Sequence, residues 1–355
     1  MIKVSAIVSL YNSLEYVDEC LRDLVEQSLF KRGELEVVVI DSNSPQDERS
    51  VVERYQERYS NIVYLRTDER ETLYQAWNRG IALAQGAYLT NANSDDRHHP
   101  EALEIMHRAL MAAPEIDLVY ADVYESSVPN QRFFDNPRTK RYYYPQYFAP
   151  TSLLFYQFGC QPMWRRRVHD VIGGFSPTLR AAGDWEFSIR FARAGLRARH
   201  IPMVLGSFLQ RCDSISSGGT TSHREQTQIY QSATEEDILA LYACEGYAIN
   251  TPHDRTLIFT DFAHRASEMH LPWQGEGAYI EPRSAVMACY AAYTTSQEDP
   301  RTAWNLGITL LRTSQQERAV PFLQQGAAVS DPVVTETLEA FSRGHAVPLR
   351  LLQLT

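Results

Sequence analysis

Apolar, β-prone runs alternate with helical patterns in the N-terminal part of this sequence, and this alternation constrains the fold most strongly. The runs typical of strands span residues 4–10, 36–41, 62–65 and 88–91. Apolar residues at helical spacing follow the first run from Leu14 onwards and recur after later runs. Because the runs are not divided into an apolar and a polar face, they are typical of a parallel sheet covered by helices on both sides. The sequence therefore predicts an α/β domain.

The alternation continues beyond the fourth run. The sequence predicts helices over 100–113 and 185–194 and strands over 117–124, 163–166, 197–201 and 206–211. Residues 126–158 interrupt this pattern with a segment rich in Pro, Tyr and Phe, which is typical of a binding loop or a lid. The Ser- and Gly-rich residues 213–221 are expected to form a hinge or mobile loop.

From about Arg224 onwards the pattern contains helices alone. They are expected over 229–242, 252–268, 283–294, 302–311, 317–328 and 333–343. The sequence thus predicts an α/β catalytic domain over residues 1–224 and an α-helical domain over residues 225–355. Residues 303–332 resemble one tetratricopeptide repeat. Because an autonomous array needs ~3 repeats, an ordinary helical hairpin is the alternative.

Composition narrows the class of protein. The 355 residues carry a formal net charge of −10, which argues against binding nucleic acid or an anionic membrane through bulk charge. No run reaches the ~18 apolar residues that span a bilayer, and no signal peptide is expected because the N-terminus lacks a small-residue cleavage site. The five scattered cysteines fit a reducing compartment. We expect a cytoplasmic protein, either free or peripheral at the inner face of the membrane.

Residues 88–100 place two adjacent carboxylates where a strand ends. Asn93 and Ser94 favour a turn, and Asp95 and Asp96 follow directly. Open α/β sheets bind ligands at the carboxyl ends of their strands, and Mg²⁺ and Mn²⁺ prefer carboxylate and phosphate oxygens. The turn is therefore predicted to bind Mg²⁺ or Mn²⁺ through Asp95 and Asp96. The alternative is a solvated turn that caps the next helix.

Polar motifs follow several strands in an order that points to one family. They are Ser9-Leu10-Tyr11-Asn12, Asp41-Ser42-Asn43-Ser44, Asn93-Ser94-Asp95-Asp96 and Ala182-Gly183-Asp184-Trp185-Glu186. With this order and spacing, residues 3–216 resemble the family-2 inverting glycosyltransferases of GT-A fold. The resemblance implies transfer of a sugar, with inversion, from a nucleoside diphosphate sugar to a hydroxyl acceptor on a glycan, lipid or protein. A UDP-sugar donor and a role in polysaccharide or glycoconjugate synthesis are expected.

The resemblance also assigns the donor side. The residues implied in nucleotide binding are Ser9, Tyr11, Asn12, Asp41, Asn78, Arg79, Asn93 and Ser94. Asp41 ends the second strand and would accept a hydrogen bond from a ring N–H of the base. Asn93 stands where the family's Asp-x-Asp-Asp motif has its first Asp. It would still contact the ribose, but the motif then carries one negative charge fewer. Asn12 is also expected to cap the first helix.

On the acceptor side the resemblance implies that Asp184 is the general base. One carboxylate is enough, because it takes the proton of the acceptor hydroxyl while a metal neutralises the leaving diphosphate. Gln161, Trp164 and Glu186 would line the acceptor site, although Trp164 is equally suited to the core. Many family members carry a His after the last strand; here Arg211 and His223 are both candidates to replace it.

Two other functions remain open at this point. A nucleotidyltransferase also uses a parallel sheet and an Asp-bound metal, but it needs a Gly-rich, basic phosphate loop that SLYNSLEY, at residues 9–16, does not provide. A catalytically degenerate nucleotide-sugar-binding or scaffold protein would fit the missing first Asp. Its helical region would then bind a protein partner or a second copy of the chain.

Overall fold

The structure is a computed structural model that describes residues 1–211, 220–268, 282–313, 315–343 and 349–354. Most of the predicted hinge at 213–221 lies outside the described residues. The chain folds into two compact units: residues 1–147 with 156–226, and residues 148–155 with 227–355. The prediction that residues 1–224 and 225–355 act as separate domains stays a prediction.

The first unit contains a mixed sheet of nine strands among the described residues. They are β1 Val4–Leu10, β2 Leu35–Asp41, β3 Ile62–Arg66, β4 Tyr88–Asn91, β5 Arg97–His98, β6 Leu118–Ser126, β7 Arg141–Tyr142, β8 Met163–Arg165 and β9 Ala198–Leu209. The order is β3-β2-β1-β4-β8-β6-β9-β5, with β7 on β6. The strands β3, β2, β1 and β4 are parallel, as are β6 and β9, whereas β8 is antiparallel to both β4 and β6.

Helices cover both faces of this sheet, as the sequence predicts. They are α1 Leu14–Val25, α2 Ser28–Lys31, α3 Glu48–Gln56, α4 Leu73–Leu83, α5 Ala102–Ala112, α6 Val168–Ile172 and α7 Gly183–Arg193. The start of α8 Thr220–Ser232 also belongs to this unit. Alternate residues of β1 point to opposite faces. Val8 packs in a core with α1 and α5, and Ile7 packs in a second core with the aromatic side chains of α4 and α7.

Two predicted boundaries in this part of the chain are wrong. Residues 197–201 and 206–211 do not form separate strands, because β9 runs through Pro202 and Met203. Its partner β6 pairs Ala121 with Ile201 and Asp122 with Val204, so a register shift leaves the two intervening residues unpaired while the chain stays extended. The predicted helix 229–242 is two helices, because Thr234 begins a new one with a capping box.

The second unit is helical, and the predicted α-helical C-terminal region is confirmed. After the end of α8 come α9 Glu235–Cys244, α10 Pro252–Glu268, α11 Pro282–Thr295, α12 Pro300–Arg312, α13 Gln316–Gly326 and α14 Pro332–Ser342. In the hairpin of α12 and α13, a Cβ on Gly326 would lie 2.6 Å from Trp304, so the glycine permits close packing. The tetratricopeptide likeness stays a prediction. No helix among the described residues is long and apolar enough to cross a membrane.

Candidate active site

The register of the parallel strands brings their polar ends to one edge of the sheet. Leu10 of β1 lies opposite Asp41 of β2, and Asp41 lies opposite Arg66 of β3. On the other side of β1, Ile7 lies opposite Asn91, from which the acidic turn continues. The loops after β1, β2 and β4 therefore meet at the carboxyl ends of the strands, where ligands bind in open α/β sheets.

Asp41 is fully buried at this edge and is held by three groups. Its Oδ2 accepts hydrogen bonds from Arg66 Nη1 at 2.6 Å and from the Tyr64 hydroxyl at 2.7 Å, and its Oδ1 accepts one from the Ser44 N–H at 2.8 Å. Because a carboxylate oxygen has about two lone-pair sites, Oδ1 keeps capacity for one more donor. Sequence reasoning missed Arg66, although it ends the third strand beside Asp41.

The loop after β1 is tied to the loop after β2. The N–H of Asn12 donates to Ser44 Oγ at 3.0 Å, and Asn12 has a φ of 52°, in the left-handed region that Asn tolerates. Asn12 does not cap α1, which begins at Leu14 after Ser13, because its backbone is used for this turn. The guanidinium of the exposed Arg70 lies 3.8 Å from the ring centroid of the half-buried Tyr11, which is a cation–π contact.

Glu48 connects the same two loops through hydrogen bonds. The sequence alone did not identify this residue. Its side chain is fully buried, and Oε1 accepts hydrogen bonds of 2.7 Å from both the Ser13 N–H and the Ser44 hydroxyl. Ser13 Oγ also lies 3.4 Å from Ser94 Oγ. The loops after β1, β2 and β4 thus share one hydrogen-bond network.

The two carboxylates of the acidic turn have different surroundings. Asp96 is 2% exposed; its Oδ2 accepts from the Asn93 amide at 2.9 Å and its Oδ1 from the Leu209 N–H at 3.1 Å. Burial, with the neighbouring charge of Asp95, raises the pKa of Asp96 well above its usual range. The Asp95 side chain is 23% exposed and has Arg211 Nε 3.6 Å from its Oδ2. Asp95 is therefore the carboxylate that remains accessible, whereas Asp96 braces the turn.

These residues can hold a divalent metal only in combination with a ligand. No group of three or more His, Cys, Asp and Glu side chains within the described parts of the chain could hold a metal ion alone. Mg²⁺ is commonly bound by one or two carboxylates, with phosphate oxygens and water completing its shell. Asp95 fits that requirement, since its side chain is partly accessible at the turn. Of the two candidates for the missing His, Arg211 lies beside Asp95, and His223 lies exposed on α8.

Asp184 lies in the first turn of α7 and is half-buried. Its Oδ1 accepts hydrogen bonds from the Tyr74 hydroxyl at 3.2 Å and from the Trp185 N–H at 2.8 Å. Burial raises the pKa of Asp184 to about 6, and these hydrogen bonds oppose the shift. A Cβ on Gly183 would lie 2.6 Å from the Tyr74 ring, so only glycine lets Tyr74 approach Asp184 this closely.

The segment from Tyr156 to Cys160 borders both acidic groups. Asp184 contributes to the raised pKa of Tyr156, and Asp96 and Asp95 contribute to the raised pKa of Cys160; burial is the main cause in both cases. The Asn91 amide donates to the Cys160 carbonyl at 2.9 Å, which joins this segment to the end of β4. The predicted base and the predicted metal turn therefore face one shared segment.

Several residues predicted at the site are used for other contacts. Asn78 makes two 2.8 Å hydrogen bonds to the backbone N–H and carbonyl of Phe175, and the exposed Arg79 pairs with Glu71 at 2.6 Å. These contacts tie α4 to neighbouring segments, and the role of both residues in nucleotide binding stays a prediction. Ser9 is half-buried in β1 one residue before its end.

The residues predicted to line the acceptor site also make contacts within the protein. Trp164 is 2% exposed, belongs to the aromatic core and donates to His169 Nε2 at 2.8 Å, so the geometry favours its core alternative over stacking on a sugar. Gln161 is buried and donates to the Arg97 carbonyl at 3.2 Å. Glu186 pairs with Arg190 one turn along α7 at 2.6 Å.

A comparison with protein families decides the classification. The family described as Glycosyl transferase family 2 matches residues 5–182, half of the chain. The chain belongs to glycosyl transferase family 2. The match contains the strand ends with Tyr11 and Asp41 and the acidic turn, and it ends two residues before Asp184. The predicted family is thereby confirmed.

Curated relatives are similar over the same part of the chain. Glycosyltransferase AglE of Haloferax volcanii is 28% identical over 210 residues, which cover 57% of this chain and 66% of that protein. A PGL/p-HBAD biosynthesis glycosyltransferase of Mycobacterium bovis is 24% identical over 208 residues, 58% of this chain and 75% of that protein. The curated names agree with the prediction that this family member is a glycosyltransferase.

Solved structures extend the likeness of fold to nearly the whole chain. S. aureus TarS 1-349 matches with a TM-score of 0.52 and 17% identity, covering 97% of this chain and 92% of that one. The same protein in complex with UDP-GlcNAc matches equally well. At this identity the likeness shows the fold alone. It confirms the predicted GT-A fold followed by helices.

Proposed function

We propose that this family-2 protein is an inverting glycosyltransferase that moves a sugar from a UDP-sugar to a hydroxyl group, with Asp184 as general base. The observation that carries the proposal is the Asp184 carboxylate. It stands at the start of α7, where the family places its base, and burial raises its pKa to about 6. A base whose pKa lies near the working pH is suited to proton transfer.

In the proposed reaction the acceptor oxygen attacks the anomeric carbon as Asp184 takes its proton. The new bond forms while the bond from that carbon to the diphosphate oxygen breaks, and the nucleoside diphosphate leaves with the electron pair. A single displacement inverts the anomeric centre. The Tyr74 hydroxyl and the Trp185 N–H both donate to Oδ1 of Asp184. The other carboxylate oxygen, Oδ2, is the one proposed to take the proton of the acceptor.

The donor side is proposed to recognise uracil through Asp41. Its Oδ1 accepts from the Ser44 N–H and retains capacity for the ring N–H of the base. Arg66 holds the buried carboxylate in place, since it also donates to Asn43 Oδ1 and the Ser44 carbonyl at 2.9 and 2.8 Å. Tyr11 offers an aromatic ring on the same edge, on which a base can stack where Arg70 now lies.

The leaving diphosphate is proposed to be neutralised at the acidic turn. A Mg²⁺ or Mn²⁺ ion held by Asp95 would supply positive charge to the departing oxygens. Arg211 lies 3.6 Å from Asp95, and its guanidinium is suited to phosphate oxygens. Asn93 retains a role here, because its amide hydrogen bond orients Asp96.

A donor screen tests the proposal. The full chain is heated with UDP-glucose, UDP-N-acetylglucosamine, GDP-mannose or dTDP-glucose, each with and without Mn²⁺. A bound donor raises the unfolding temperature, and release of the nucleoside diphosphate is then measured. We expect stabilisation and turnover with a UDP-sugar. Stabilisation without turnover for any acceptor tried would favour the degenerate binding protein, and no stabilisation by any nucleotide sugar would exclude the proposed function.

A further inference from the structure

Glu225, in the second turn of α8, accepts hydrogen bonds from the turn that precedes Asp184. One of its carboxylate oxygens, Oε2, accepts hydrogen bonds from the N–H groups of Arg180, Ala181 and Ala182 at 3.1, 2.8 and 3.1 Å. Its Oε1 accepts a second hydrogen bond from the Arg180 N–H at 3.0 Å. The side chain is 4% exposed, so these are hydrogen bonds of a buried carboxylate.

This contact satisfies a need at the start of α7. The N–H of an N-cap residue has no partner within its helix, and Glu225 accepts from that N–H at Ala182 and from the N–H groups of the two residues before it. Successive backbone N–H groups that converge on one point form a concave site for an anion. Here the anion is a side chain that lies 43 residues further along the chain.

The position of Glu225 matters because Asp184 follows only two residues after Ala182. We infer that Glu225 is a positioning residue for the general base: it holds the turn 180–182 and thereby sets where the Asp184 carboxylate points. This inference rests on the proposed function of Asp184. It adds a residue that lies beyond the family match at 5–182.

Glu225 also acts on Asp184 through its charge. The titratable groups that face Asp184 are Tyr74 of α4, Tyr156 of the loop before β8 and Glu225 of α8. Burial is the main cause of the raised pKa of Asp184, and the negative charge of Glu225 raises it further, whereas the hydrogen bond from Tyr74 lowers it. Removing the charge of Glu225 should therefore lower the pKa of Asp184.

Glu225→Gln tests both effects in the full chain. The amide has the same length, but its NH₂ group cannot accept from the turn. With UDP-N-acetylglucosamine as donor and water as acceptor, we expect kcat for UDP release to fall by about ten- to a hundredfold, the range for a misplaced catalytic group. The KM for the donor should stay unchanged, and the acidic limb of the pH profile of kcat should move to lower pH. Glu236→Gln, which removes an exposed carboxylate from α9, is the matched control and should behave as the unaltered chain.

A second variant and a second measurement support the test. If Glu225→Gln fails to fold, Glu225→Asp keeps the charge but shortens the reach, and it should lower kcat with little movement of the acidic limb. A measurement that does not depend on activity is the pH titration of the Asp184 carboxyl carbon by ¹³C NMR. Its midpoint should lie at lower pH in Glu225→Gln than in the unaltered chain, and Asp184→Asn assigns the signal.

The outcomes separate this inference from the proposed function. A folded Glu225→Gln protein with unchanged kcat, or with lower kcat but an unmoved acidic limb and NMR midpoint, would overturn the inference, since the second result marks a purely structural contact. If Asp184→Asn abolishes turnover in the same assay, the proposed function stands in either case. If Asp184→Asn keeps full turnover, the proposed base itself is wrong.

Discussion

The Tyr74 hydroxyl donates a 3.2 Å hydrogen bond to Oδ1 of Asp184, which joins α4 to the start of α7 across 110 residues of sequence. Burial raises the pKa of the Asp184 carboxyl to about 6, and this hydrogen bond partly offsets that effect. The two residues thus connect the packing of the aromatic core to the proton affinity of the proposed base. The first two predictions concern this pair.

Replacing Asp184 with Asn should have opposite effects on activity and stability. Loss of a general base should cut turnover by ~10²–10⁴ while donor affinity is retained. Above about pH 6 the unaltered chain must keep a buried carboxylate ionised. A raised carboxyl pKa means that stability falls as pH rises from the unfolded-state value towards 6.

The Asn variant should therefore be more stable at pH 7.5 by about 1–2 kcal/mol, at 1.36 kcal/mol per pKa unit with allowance for partial exposure. Below about pH 4 the two proteins should be equally stable, because the carboxyl is protonated in both the folded and the unfolded state. Urea unfolding at the two pH values measures this difference. A variant that loses donor affinity but keeps its turnover at saturation would identify Asp184 as a donor ligand instead.

Tyr74→Phe should move the pH dependence in the direction opposite to Glu225→Gln. The hydroxyl stabilises ionised Asp184, so its removal should raise the pKa of Asp184 and shift the acidic limb of kcat to higher pH. Activity well above the limb should change little. Tyr55→Phe, which loses a hydroxyl bonded at the surface to the Asp18 carbonyl, is the control. An acidic limb that stays in place would mean that the hydrogen bond does not influence the base.

Asp95→Ala should abolish the Mn²⁺-dependent part of UDP affinity, because Asp95 is the accessible carboxylate of the acidic turn. Asn93→Asp should keep or strengthen that part, since it restores the missing negative charge. In the absence of metal, however, it should destabilise the protein, because the Asn93 amide now donates to buried Asp96 and a carboxylate at position 93 cannot donate that hydrogen bond.

Isothermal titration of UDP with and without Mn²⁺ measures these affinities, and thermal unfolding measures the stability. Asp170→Ala removes an exposed carboxylate from α6 and serves as the control. Unchanged Mn²⁺-dependent affinity in Asp95→Ala would refute the assignment of this residue to the metal.

Arg66→Gln should weaken donor binding and stability together. It leaves the fully buried Asp41 without its cation, and a lost hydrogen bond to a charged group costs about 1.5–3 kcal/mol. Since the Arg66 side chain is 34% exposed, we expect the lower end of that range. Arg49→Gln breaks an exposed pair with Glu53 and should change neither quantity. Normal UDP affinity in Arg66→Gln would show that Asp41 is not held for the base by this pair.

The sequence predicts those parts of the fold that depend on local pattern. The apolar runs locate the strands that end in Leu10, Asp41 and Asn91, and parallel pairing then brings these ends together. The roles of Asn78 and Trp164 cannot be read in this way, because their partners lie elsewhere in the fold: the Asn78 amide is used by Phe175, 97 residues away. A residue type suited to nucleotides or sugars is equally suited to satisfy a buried backbone group or to fill a core.

The supporting residues of the candidate site are harder to predict for the same reason. Glu48 begins a helix and Glu225 lies in the second turn of one, and on a helix a solvent-exposed carboxylate is ordinary. Both are buried because loops from other parts of the chain direct their N–H groups towards them. That convergence is a property of tertiary packing, and a single sequence carries no local signal for it.

The anomeric configuration of the first product tests the central claim most directly. The full chain is incubated with an α-linked UDP-sugar and Mn²⁺, and the released or transferred sugar is followed by ¹H NMR before mutarotation mixes the anomers. We predict that the β-anomer appears first, in step with UDP, and that Asp184→Asn suppresses both signals. An α-anomer as the first product, or equal rates of UDP release from Asp184→Asn and the unaltered chain, would contradict single-displacement transfer with Asp184 as the base.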